Sequence, residues 1–216
     1  MPLGDCIYKA VSTTFICATD YCDLLYCNNE RHVASDSGPC TPPGESPILV
    51  DVLGDGYSLT DWAGGVDFDI DADGRADSVA WTDARSDDSF LALDRNGNGR
   101  IDDGTELFGT HTPQPASFAP NGFKGLAVFD DNHDGAITSA DAVFERLLLW
   151  RDENHDGVSQ PRELYSVARL GVRSISLAYR VSARRDRYGN LFRYRGDVEG
   201  LQRGRPSAYD VFLRRS

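Results

Sequence analysis

One short pattern constrains this chain more than any other: an aspartate, an acid or amide two and four residues later, then a glycine. It occurs at Asp69, Asp71, Asp73 and Gly74; at Asp94, Asn96, Asn98 and Gly99; at Asp130, Asn132, Asp134 and Gly135; and at Asp152, Asn154, Asp156 and Gly157. With the chain's own Asp, Asn and Gly frequencies, chance would supply about 0.07 occurrences. Oxygen-bearing side chains at alternate positions ahead of a glycine bend turn a loop inward on itself, as a hard divalent cation requires. The plainer reading is that Asp-Gly and Asn-Gly turns simply connect strands.

The four segments extend to the twelve positions of an EF-hand-type calcium loop. Side chains at positions 1, 3 and 5, a backbone carbonyl at 7, a group at 9 and a carboxylate at 12 surround the ion. Two segments are complete. Asp130, Asn132 and Asp134 are followed by the carbonyl of Ala136, by Thr138 and by Asp141; Asp152, Asn154 and Asp156 by the carbonyl of Val158, by Gln160 and by Glu163. Two are variants. Asp94, Asn96 and Asn98 lead to Arg100 and Asp102, but position 12 is Thr105, so closure falls to Glu106 one residue later. Asp69, Asp71 and Asp73 lead to Arg75 and Asp77, and position 12 is Ala80, whose side chain cannot ligate, so closure falls to water or a distant group. Asp51 with Gly54, Asp55 and Gly56 reads as a decayed loop or a turn. The cofactor expected is Ca2+, two to four ions for these four segments. Mg2+ is the alternative, and it prefers fewer protein ligands and more water. His133 and His155 occupy position 4, which faces solvent in such loops. No nucleophile elbow, phosphate loop or His-Glu-x-x-His is present, so no catalytic residue is assigned.

Charge is distributed to match. Residues 45–163 hold 25 acids and 8 bases, and residues 164–216 hold 4 acids and 12 bases. An acidic block of that density repels itself unless cations neutralise it. The basic end has the composition of a nucleic-acid or membrane patch, but its arginines are expected on exposed strand faces and against the acidic block, with no nucleic-acid partner. No apolar run reaches the roughly 18 residues that span a bilayer, so no membrane span is expected. No signal peptide is visible at the start. All five cysteines, Cys6, Cys17, Cys22, Cys27 and Cys40, precede residue 41. Their spacing lacks the paired C-x-x-C of a zinc site, so disulfides and an oxidising compartment are expected, with metal or free thiols as alternatives.

Three regions follow: a Cys-rich segment over 1–40, a Pro-rich linker over 41–47 and a calcium-binding domain over 48–216. The fold class expected is α+β, with short β-strands, EF-hand-like loops, two short helices and a C-terminal β-hairpin. Strands are predicted over 48–52, 79–81, 90–93, 174–181, 191–198 and 209–213, with a turn at Tyr188, Gly189 and Asn190. A short helical stretch is suggested around Phe123, Leu126 and Phe129, weakened by Gly125. The two helices are predicted over 139–151, from the stripe Val143, Phe144, Leu147, Leu148 and Trp150, and over 161–170, between Pro161 and Gly171. The complete loops start 22 residues apart, so one helix would leave the first and enter the second. That spacing is similar to the loop-helix duplication of dockerins, which bind partner modules, and it leaves room for a protein partner.

From Ser46 to Tyr179 the order of motifs resembles a calcium-binding module of RTX-type, iron-regulated, self-processing proteins secreted by bacteria. The matching stretches are the run from Pro47 to Gly56, Gly65-Val66-Asp67-Phe68-Asp69, the run from Leu93 to Gly99, Asp102-Asp103-Gly104-Thr105-Glu106-Leu107-Phe108-Gly109, and Leu149-Trp150-Arg151-Asp152. In some members of that family calcium-induced folding drives cleavage of an Asp-Pro bond at the module's start, and the freed aspartate can be joined to a lysine. Here the dipeptide is Ser46-Pro47, and the chain contains no Asp-Pro. The resemblance therefore implies a secreted or cell-surface, non-catalytic calcium-binding protein. A self-processing peptidase-like module and a dockerin-like interaction module are the alternatives.

Overall fold

Ile48, Leu49 and Val50 form a strand that is buried along its whole length (β3, Ile48–Val50). An uninterrupted apolar run suits the middle of a sheet, where both faces are covered. The computed structural model describes residues 44–117, 119–201 and 206–216, together with two short N-terminal strands. The chain divides into two compact units: residues 1–43 with 117–119, and residues 44–116 with 120–216. In the first, β1 (Ile7–Tyr8) pairs antiparallel with β2 (Phe15–Ile16). The disulfides expected of the five cysteines lie outside the described residues.

The regular structure of the second unit is almost entirely β: β4 (Val66–Phe68), β5 (Asp77–Val79), β6 (Ser89–Ala92), β7 (Ala136–Thr138), β8 (Leu148–Trp150), β9 (Leu164–Ser166), β10 (Ser174–Ser176), β11 (Arg180–Arg185), β12 (Leu191–Glu199) and β13 (Ser207–Phe212) follow β3. Nine of them make one curled antiparallel sheet in the order β7-β10-β12-β13-β3-β6-β8-β9, with β11 also paired to β12. β4 and β5 form a separate hairpin. One α-helix is present among the described residues, α1 (Gly122–Ala127), with the Asn121 side chain accepting from the Lys124 N–H.

Side chains alternate across the sheet with the two-residue period of a strand. Ile48, Val50, Leu91, Leu149, Tyr194 and Phe212 enter the core on one face. Leu49, Phe90, Trp150, Phe192 and Val211 enter the other, where Phe68 and Trp81 join them. Trp81 lies 4.2 Å from Phe90 and 5.5 Å from Trp150 between ring centroids, in tilted and edge-on contact.

The expected α+β class with two helices is overturned by this mostly-β architecture. Residues 139–151 contain a 3-10 turn at Phe144–Arg146 and then β8. Leu147 to Trp150 is a short apolar run that periodicity cannot assign to helix or buried strand. The strand is realised because β6 and β9 flank it, with Phe90 opposite Trp150 and Leu164 also opposite Trp150. Residues 161–170 likewise begin with a 3-10 turn, Pro161–Glu163, and continue as β9. The dockerin-like reading, which needed a helix over 139–151, loses that element. The segment 186–190 does turn the chain between β11 and β12, with Arg185 opposite Leu191.

Asp210 on β13 is fully buried, and one of its carboxylate oxygens accepts the Gly122 N–H at the start of α1. Burial pushes its carboxyl up to about 7, eased by the Ser46 hydroxyl and the Gly122 N–H. Between the ordinary aspartate value and 7, the folded chain holds a proton that the unfolded chain has released. The stability from this group is therefore complete below about pH 4 and is lost as pH rises toward 7, at up to about 1.4 kcal/mol per pH unit. Asp210→Asn, which keeps an acceptor and cannot ionise, is expected to match the parent near pH 4 and exceed it in urea-unfolding free energy at pH 8. An unchanged difference at the two pH values would contradict this.

Candidate functional site

All four Asp/Asn/Gly segments fold into the same backbone. Position 6 is a glycine at positive φ in each: Gly74 at 87°, Gly99 at 82°, Gly135 at 83° and Gly157 at 70°. Position 4 is also left-handed, at Ala72, Gly97, His133 and His155. In this shape the first aspartate accepts the N–H groups of positions 5 and 6. Asp152 takes those of Asp156 at 3.2 Å and Gly157 at 2.9 Å, and Asp69, Asp94 and Asp130 repeat the pair. The fifth side chain accepts from position 7: Asp73 from Arg75, Asn98 from Arg100, Asp134 from Ala136 and Asp156 from Val158. The inward-facing oxygens are thus fixed by the loop's own backbone.

What differs is closure. Asp141, 2 % exposed, returns to the start of its loop and accepts from Asp131 N and Thr138 N. Glu106, also 2 % exposed, does the same one residue late, accepting from Arg95 N, Asn96 N and Asp102 N. Glu163 is fully buried; its Oε2 accepts from Gln160 N at 3.2 Å, while its Oε1 has no hydrogen-bond partner. Burial pushes the Glu163 carboxyl up, and the charges of Asp152 and Asp156 add to the effect. At the first loop position 12 is Ala80, which is buried in the core and supplies only backbone. The carboxylates of Asp69, Asp71 and Asp73 still converge, with oxygens within 4.8 Å of one another, and Asp71 and Asp77 meet the guanidinium of Arg215.

The loops sit on strand ends and touch one another. The first connects β4 to β5, the fourth connects β8 to the 3-10 turn before β9, and the third runs from α1 into β7. Equivalent eighth residues join the second and fourth: Ile101 N donates to Ser159 Oγ at 2.7 Å, and that hydroxyl donates to Ile101 O. Gly104 N donates to Asp69 O, and a side chain at Gly104 would strike Ile70 O at 1.9 Å, so glycine permits the first and second loops to meet. Arg95 lies 5.6 Å from the ring of Phe129, which precedes the third loop.

Two contacts bind the fourth loop to the core. Trp81 Nε1 donates to Asp152 Oδ2 at 2.9 Å, out of the aromatic cluster. The His155 ring lies between Thr82 O at 2.8 Å and Gly64 O at 2.9 Å, so this side chain is a structural bridge and not the solvent-facing residue its loop position implied. One acidic residue escaped the sequence reading. Asp87 comes beside Asp51 and Asp55, with oxygens within 4.8 Å, and accepts Leu53 N. The Asp87 charge, followed by burial and Asp51, pushes the Asp55 carboxyl up. The partial motif at 51–56 was the available signal; Asp87 arrives only through the tertiary fold.

A family model described as the SPM domain matches residues 48–214. The iron-regulated protein FrpA of Neisseria meningitidis serogroup C is 42 % identical over 137 residues, which are 62 % of this chain and 12 % of FrpA. The matched stretch is thus a small part of that relative. No helix among the described residues is long and apolar enough to cross a membrane.

Trp81 and Trp150 are both fully buried in one cluster, but Trp150 Nε1 makes no hydrogen bond. Replacing either by Phe removes similar volume, so their difference isolates the bond to Asp152. Trp81→Phe is expected to lose about 1–2 kcal/mol more than Trp150→Phe in urea unfolding, because it strips a donor from a buried carboxylate. Equal losses would mean that the bond contributes nothing net.

Proposed function

The chain belongs to the SPM domain family, and from that premise we propose that it is a non-catalytic calcium-binding protein acting outside the cytoplasm, whose folding is completed by the metal. Three loops fit the ion: Asp94, Asn96, Asn98 and Asp102 with Glu106; Asp130, Asn132, Asp134 and Thr138 with Asp141; and Asp152, Asn154, Asp156 and Gln160 with Glu163. The carbonyls of Arg100, Ala136 and Val158 would complete them. The observation that carries the reading is Glu163 Oε1, a carboxylate oxygen buried beside a loop of oxygen ligands and lacking any donor. A buried unpaired charge costs several kcal/mol unless a cation meets it.

The net charge supports the same reading. Residues 45–163 carry 25 acids, and gathering the loop carboxylates onto one rim concentrates repulsion that divalent ions relieve. Ion binding to the folded state alone adds stability of about 2.7 kcal/mol per site when free calcium exceeds Kd a hundredfold. A chain with this dependence stays loose where calcium is scarce and orders after export, which fits a secreted or cell-surface place of work. Residues 46 and 47 are Ser-Pro, without the aspartate whose carboxyl would attack its own carbonyl, so the reading is metal-dependent folding without self-cleavage.

Melting of chelator-stripped protein, followed by circular dichroism, tests this. Millimolar calcium is expected to raise Tm by 10 °C or more, on the order of several kcal/mol, and equimolar magnesium to raise it far less. Glu163→Gln is expected to bind one ion fewer by equilibrium dialysis. Identical melting in calcium and in EDTA would overturn the proposal.

A further inference from the structure

The first loop departs from the other three, and its departure has a consequence of its own. Position 12 is Ala80, and its N–H donates to Arg214 O at 2.8 Å. Val79 forms an antiparallel bridge with Arg215, and Ser216 N donates to Ser78 O, so the last residues run alongside β5. That register lays the Arg215 side chain over the loop. Its Nη1 is 2.9 Å from Asp71 Oδ2 and 3.1 Å from Asp77 Oδ2, and its Nε is 3.4 Å from Glu45 Oε2.

We propose that the cation of the Asp69 loop is the guanidinium of Arg215, and that this loop takes no calcium. The inference rests on the reading of the other three loops as calcium sites. Asp71 and Asp77 are positions 3 and 9, the side chains whose oxygens an ion would have to draw to 2.3–2.6 Å. Each gives its Oδ2 to Arg215, while Asp71 Oδ1 accepts the Asp73 N–H within the loop. A divalent ion and a guanidinium sharing these two carboxylates would repel each other at contact distance. Where the other loops end in an acid that returns to the loop's own N–H groups, this one ends in core alanine, and the charge arrives from the far end of the chain. The hydrogen bond to Arg215 holds the Asp71 carboxyl below its ordinary value, consistent with a formed pair.

The arrangement also joins the ends of the domain. Glu45 precedes β3 and Arg215 follows β13, and one side chain ties both to the β4–β5 hairpin. This corner of the rim is set without metal. The side chains are partly exposed, 36 % for Arg215 and 22 % for Asp71, so the network is screened and modest in strength.

Calcium bound per chain, measured by equilibrium dialysis on the full chain, separates the possibilities. The parent is expected to hold three ions, Asp71→Asn to hold the same three, and Asp152→Asn to hold two. Loss of one ion in Asp71→Asn would overturn the proposal. Melting in EDTA reads the ion pair independently of calcium. Arg215→Gln and Asp71→Asn are each expected to lower Tm by about 2–4 °C, and the double variant by less than the sum; strictly additive losses would overturn it. A parent that binds no calcium at all would sink the metal reading, while the EDTA cycle would still decide whether Arg215 closes the loop.

Discussion

Asp152 is 2 % exposed, yet its carboxylate is held at a place where three unlike parts of the molecule meet. The Trp81 indole reaches it from the aromatic core, Gly157 N–H from its own loop, and Glu163 faces it from the loop's end. A buried carboxylate without donors would be expelled or protonated. With them it fixes the Trp81 ring, and through it the packing of Phe68, Phe90 and Trp150. The loop is therefore part of the core's architecture. The neighbouring loop is fixed in turn, through Ser159 and Ile101, and the next through Gly104 and Asp69.

Local chemistry made the loops legible. Asp, Asn and Gly act over six residues, through hydrogen bonds to nearby N–H groups and through positive φ, so their outcome depends little on distant chain. Glu106, one residue late, was legible for the same reason. Strand positions with neighbours on both sides, such as 48–50 and 191–199, were legible from their β-branched and aromatic residues. The helices predicted over 139–151 and 161–170 failed because Val143, Phe144, Leu147 and Trp150 are buried in either conformation. Only pairing with β6 and β9 distinguishes them, and that is a tertiary fact. The partnership of the second loop with the fourth, the arrival of Asp87 beside Asp51, and the closure of the first loop by Arg215 all link residues far apart in sequence.

The arginines of the C-terminal quarter find several uses. Arg184 stacks 4.4 Å from the centre of the Phe192 ring, covering a fully buried core aromatic. Arg180 pairs with Asp197 on the adjacent strand, both well exposed. Arg215 crosses to the acidic half. The basic part thus pairs with its own Asp197 and, through Arg215, with the acidic part. Along the rim, the excess of carboxylates is left to whatever cation the loops admit.

Loops of this kind usually lie between helices, where calcium swings one helix against another and opens a groove. That response requires flanks that are free to rotate. Here the fourth loop is flanked by β8 and β9, hydrogen-bonded to each other from Leu148 opposite Ser166 to Trp150 opposite Leu164. β8 is also paired on its other side with β6. The first loop is the turn of a hairpin in which Phe68 faces Asp77. A cation entering the fourth loop has no lever to move. The free energy of ligation must then appear as ordering of the rim and added cooperativity of the sheet beneath it, and not as a new exposed surface. On the calcium reading proposed above, this geometry favours metal-dependent folding over the opening of a sensor.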